Sequence, residues 1–163
     1  MRKPARTGLA APRSLAPRPG AVGSIRLSPR HEAWVCGVLA ALLASGVVWL
    51  VFHYLLASPD DLSPHAAEAW SMRVHGALAM ATLLMVGGVL TQHSLPAWRR
   101  GLNRASGAWM AGTMLLLTVT GYLLYYAATP ALREATSWLH WTVGIALPVL
   151  LGLHMWRAGR WRR

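Results

Sequence analysis

The chain has 163 residues, with 16 Lys and Arg against 5 Asp and Glu, a net charge of +11, 55% hydrophobic residues and one cysteine. So apolar a composition excludes disorder for most of the sequence, and so much charge excludes an ordinary soluble domain unless the two are segregated along the chain. The lone Cys36 excludes a disulfide framework, and the basic balance fits either nucleic acid or an acidic membrane surface, a choice that only the placement of the charges can make.

The first 30 residues carry seven of the basic residues, no acid, and Pro4, Pro12, Pro17, Pro19 and Pro29. Such a stretch buries too little apolar surface to offset its chain entropy, which predicts a disordered basic tail over 1–32. A transit peptide has the same Arg-rich, acid-poor look. From residue 33 the composition inverts.

Four apolar segments follow, at about 34–56, 70–91, 107–128 and 137–156. Each is close to the roughly 20 residues that carry a helix across about 30 Å of hydrocarbon, so all four read as transmembrane helices. Arg73 is the sole formal charge inside them, near enough to a helix start to snorkel. The connectors are short and marked by Ser58-Pro59-Asp60-Asp61 and Pro64, by Pro96 and Gly101, and by Thr129-Pro130. Short links make successive helices antiparallel, which predicts an all-α membrane bundle running up, down, up, down over 33–163.

Charge supplies the orientation. The tail, the second connector (Arg99, Arg100, Arg104) and the C-terminus (Arg157, Arg160, Arg162, Arg163) hold 14 of the 16 cations on one face, whereas Asp60, Asp61, Glu68 and Glu134 lie on the other. The positive-inside rule then places both termini in the cytoplasm. Cations at membrane borders also argue against a nucleic-acid surface. Trp34, Trp70, Trp98, Trp138, Trp156 and Trp161 near helix ends read as an interfacial belt.

Seven histidines are many for a chain with so few polar residues in its spans. His31 and His65 fall outside the apolar segments and read as solvated. Threading the rest through the bilayer gives two layers, with His53, His75 and His140 outside and His93 and His154 at the cytoplasmic side. At about 100° per residue, the 18 residues from His75 to His93 make five whole turns, and the 14 from His140 to His154 leave those two within roughly 40°. Rise per residue separates the pairs by about 27 Å and about 21 Å, so no single ion bridges either.

Haem iron is well served by two axial histidines from facing helices. The layering therefore predicts one or two haems, His75 with His140 outside and His93 with His154 inside, with His53 as a competing outer ligand or haem neighbour. Gly76, Gly87, Gly88, Gly144 and Gly152 offer close approach to backbone, and Arg73, Arg99, Arg100 or Arg157 offer cations for propionates. Pro148 should kink the fourth helix. The third helix, with Ala108 and Gly112 in small-xxx-small spacing, reads as a packing wall, and Tyr122, Tyr125 and Tyr126 as belt residues or the lining of a quinone pocket. No Cys-x-x-Cys-His is present, so haem here would be non-covalent, b-type.

The runs Leu139-His140-Trp141-Thr142-Val143-Gly144, Pro148 and Leu153-His154-Met155-Trp156-Arg157 resemble the last helix of bacterial four-helix di-haem membrane cytochromes b. Arg73-Val74-His75-Gly76 and Thr120-Gly121-Tyr122-Leu123-Leu124-Tyr125-Tyr126 are similar to segments of small uncharacterised relatives of the hydrogenase and formate dehydrogenase cytochrome b subunits. The likeness covers 34–163. It implies that His75, His140 and His154 bind haem and that the protein passes electrons in the bacterial inner membrane, between quinone and a redox partner subunit. A strict 14-residue spacing on both helices would need a ligand at position 89, which is Val89.

Two other classes fit the residues. In one, His53, His75 and His140 share a copper or zinc ion. In the other, the protein is a cofactor-free structural or assembly subunit whose histidines bridge helices. Substrate catalysis has no support, because paired intramembrane carboxylates, a phosphate loop and His-Glu-x-x-His are all missing.

Overall fold

The computed structural model describes residues 27–56 and 65–160. Most of the basic tail, the Ser58 to Pro64 connector and Trp161, Arg162 and Arg163 lie outside them. Among the described residues the fold is all-α: α1 (Pro29–Leu50), α2 (Ala66–Val89), a short α3 (Leu95–Arg99), α4 (Arg104–Tyr126) and α5 (Pro130–Arg160). Single π turns extend α1 over Val51–Leu55 and join α2 to α3 over Leu90–Ser94. Four spans, Pro29–Leu55, Ala66–Arg99, Arg104–Tyr126 and Pro130–Gly159, are long and apolar enough to cross a membrane.

The helices begin earlier than hydropathy alone indicates. Helix α1 starts at Pro29 rather than near 34, because the Ser28 side chain accepts the His31 amide at 3.3 Å and Pro29 supplies a preset φ at the first helical position. Residues 29–32 thus belong to the helix and not to the tail. Thr129-Pro130 repeats the device, with the Thr129 hydroxyl accepting the Leu132 amide at 3.3 Å, so a dipeptide expected to break the chain instead opens α5. Pro96 fails to break it for a related reason. The preceding π turn, closed by Leu95 N–H on the Leu90 carbonyl, rearranges the ladder where a proline would leave an acceptor unpaired. The turn itself comes later, at Gly101 (φ 74°) and Asn103 (φ 49°), and Arg104 pins it by donating from Nε to the Trp98 carbonyl at 3.0 Å.

Two antiparallel hairpins result, α1 with α2 and α4 with α5, which approach each other chiefly through α1 and α5. One end of the bundle, called here the terminal end, holds the start of α1, the α3–α4 turn and the end of α5. The other, the loop end, holds the end of α1 and the starts of α2 and α5. There His53 Nδ1 lies 2.7 Å from Glu68 Oε1 across the first hairpin.

Burial is inverted relative to a soluble domain. The described residues that are buried are mainly small hydroxyls, Ser45, Ser71, Thr82, Thr113, Thr120 and Thr136, joined by Ala127 and Leu147. Large apolar residues such as Leu84 (82% exposed) and Leu115 (65%) point outward. A surface so apolar is a lipid-facing one, and small residues between helices are what close packing in a bilayer selects. The interior hydroxyls are satisfied within their own helix, as in Thr82 to Leu78 (2.8 Å) and Thr113 to Trp109 (2.9 Å). The belt residues Trp34, Trp70, Trp98, Trp138 and Trp156 are exposed, as interfacial rings should be.

Candidate functional site

His75 of α2 and His140 of α5 belong to different hairpins, and their rings meet in a T-shaped arrangement with centroids 6.2 Å apart and planes inclined by 76°. Each ring is anchored within its own hairpin. His75 Nδ1 lies 3.0 Å from Ser45 Oγ and 3.0 Å from the Leu42 carbonyl, both on α1. His140 Nδ1 lies 2.8 Å from Thr120 Oγ1 on α4, with the Leu117 carbonyl also in hydrogen-bonding contact.

These anchors fix the tautomer. The Ser45 hydroxyl donates to the Leu42 carbonyl at 2.8 Å, so its oxygen faces the ring as an acceptor, and the carbonyl can only accept. His75 Nδ1 must therefore carry the proton. Thr120 likewise donates to the Leu116 carbonyl at 2.7 Å, which makes Nδ1 of His140 the donor to its hydroxyl. Both rings keep the Nε2 lone pair free, the arrangement of metal-ligating imidazoles oriented by an outer hydrogen bond.

The ring separation suits one metal between them. At 6.2 Å between centroids, the two rings are near enough for both to serve one bound group. The donor set of two neutral imidazoles on facing helices fits haem iron, which needs no third protein ligand. Among the described residues no group of three His, Cys, Asp or Glu is arranged to hold an ion. The three-histidine copper or zinc site is thus not assembled. His53 pairs with Glu68 and stacks on Trp49 with centroids 4.4 Å apart.

Close approach to the rings is made by glycines other than those expected. A Cβ on Gly46 would sit 3.2 Å from His75 Cε1, and one on Gly121 would sit 3.4 Å from His140 Cε1. Gly87, Gly88 and Gly152 have nothing within 4 Å. A Cβ on Gly76 would sit 3.4 Å from the Tyr125 hydroxyl, an approach from α4 to α2. Helix α4 is more than a wall, since it supplies hydroxyls to both α5 histidines.

The second layer is less symmetric. His154 Nδ1 lies 3.2 Å from Ser106 Oγ on α4, and His93 is close enough to interact with it electrostatically. His93 itself lies in the Leu90–Ser94 π turn. A π turn takes more residues than an α turn, so the count of five whole turns from His75 does not hold. Beside His154 is an apolar recess of about 300 Å³ lined by Trp109, Met110, Leu150 and Leu153, with Arg157 at its edge. Arg73, at the loop end, lies over the Trp70 ring at 5.0 Å and is exposed, the posture of an interfacial cation.

Comparison with models of known families, with curated proteins and with solved structures finds no match to this chain.

Proposed function

We propose that this multi-pass membrane protein binds b-type haem between His75 and His140 and carries electrons within or across a bacterial inner membrane, between quinone and a redox partner. The observation that carries the reading is the imidazole pair, 6.2 Å between centroids, with each Nδ1 tied to a hydroxyl of its own hairpin. Haem held there supplies reversible one-electron transfer. His75 and His140 would hold its iron, and Arg73, two residues before His75, is the nearest cation along α2 for a propionate. Lone Cys36 and the missing attachment motif make the binding non-covalent.

The geometry favours one haem over two. His154 has its own hydroxyl anchor, but Val89 stands at the matching α2 position and His93 enters from a π turn. We read the 14 cations of the tail, the second connector and the C-terminal segment as cytoplasmic, which would set the His75–His140 pair toward the outer leaflet.

A cofactor-free role in assembly is the second reading, because the bonds from Ser45 to His75 and from Thr120 to His140 also clamp helix to helix. Purified protein that is red, with a b-type reduced-minus-oxidised spectrum, supports the first reading. Folded, colourless protein supports the second.

A further inference from the structure

The two imidazole anchors are copies of one device. Leu42-Leu43-Ala44-Ser45-Gly46 on α1 and Leu117-Thr118-Val119-Thr120-Gly121 on α4 place a leucine carbonyl, a hydroxyl and a glycine in the same order. The hydroxyl meets Nδ1 in both, the Leu42 carbonyl also meets Nδ1 of His75, and the glycine clears room for Cε1. Ser45 and Thr120 are among the few buried side chains of the described residues, although neither bonds any side chain except its histidine.

We infer that Ser45 and Thr120 are positioning residues that set the redox potential of the site through the imidazole Nδ1–H bond, an inference that rests on the haem reading above. The bond forms a chain, Nδ1–H to hydroxyl oxygen and hydroxyl hydrogen to carbonyl, in which each member polarises the next. Electron density pushed toward Nε2 makes the imidazole a stronger donor and favours the more positive, oxidised metal. Removing the hydroxyl therefore raises the midpoint potential. The two sites differ in degree. The hydroxyl is the close partner of His140 at 2.8 Å, whereas His75 keeps the Leu42 carbonyl at the same 3.0 Å as Ser45.

The test is a spectroscopic redox titration of the purified full chain in detergent, with haem content, electron paramagnetic resonance and circular dichroism recorded for every variant. Thr120→Val and Ser45→Ala should both raise the midpoint, Thr120→Val by more, while Thr120→Ser returns it to the wild-type value. Full haem content with wild-type midpoint and resonance spectrum in Thr120→Val and Ser45→Ala overturns the inference. Haem loss from a helical Thr120→Val that Thr120→Ser regains supports it, and loss that Thr120→Ser shares counts against it. If Thr120→Val does not fold, Ser45→Ala decides, with an unmoved midpoint overturning the inference and a raised one supporting it. A colourless wild type defeats the haem reading itself, whereas a pigmented wild type with unmoved variants defeats only the positioning role.

Discussion

His75 and His140 come from different hairpins, yet their rings lie 6.2 Å apart between centroids and 76° between planes, each held by a hydroxyl of its own hairpin. Each hairpin thus presents one oriented imidazole, and the site exists only where the hairpins meet. Helix contacts between hairpins are sparse beside those within them, so a group bound by both rings would also tie the bundle together.

Both ligands should be needed and His53 should not. His75→Ala and His140→Ala are expected to lose at least about nine-tenths of bound haem, and His53→Ala to keep most of it, by haem-to-protein ratio in purified samples. His53 is committed to Glu68 at 2.7 Å, an exposed pair worth less than about 1 kcal/mol. Haem loss in His53→Ala equal to that in His75→Ala would assign the ligand wrongly.

Gly46 and Gly121 should respond unequally to a methyl group. At 3.2 Å from His75 Cε1, the new Cβ in Gly46→Ala forces the ring or the helix to shift by a few tenths of an ångström, whereas 3.4 Å at Gly121 is near ordinary contact. Gly46→Ala is expected to lower haem retention and melting temperature, at a cost of about 1–3 kcal/mol, with Gly121→Ala closer to wild type. Thermal melts followed in the haem band measure both.

Haem number depends on the second layer. With one haem at the loop end, His154→Ala keeps the wild-type ratio of haem to protein. A fall to half in His154→Ala and again in His93→Ala would establish a second haem at the terminal end.

Topology follows from the charge collar. Reporter fusions after Leu102 and after Arg163 should report the cytoplasm, and a fusion at Thr129 the opposite side. Replacing Arg99, Arg100 and Arg104 by neutral residues should weaken that bias, since short-loop cations carry it.

The spans were legible because apolar runs of membrane length leave little else to form, and the His75–His140 pairing because two helices entering from one end place their histidines at one depth. Helix ends were not, because Ser28-Pro29 and Thr129-Pro130 are local caps that hydropathy averages away. The π turn that holds His93 was not legible, because a periodic count cannot register it. The hydroxyl anchors depend on neighbours 30 and 20 residues distant, so only the repeated Ser45-Gly46 and Thr120-Gly121 pairs signalled them. The glycines that approach the rings lie on the partner helix of each hairpin, not beside the histidines on their own helices, and so leave no local signal.

The most direct test is the optical spectrum of the purified, detergent-solubilised chain before and after reduction. A Soret band with sharpened b-type bands on reduction, lost in His75→Ala and in His140→Ala, is the predicted result. A helical, monodisperse protein with no Soret absorbance after expression in haem-replete cells would contradict it.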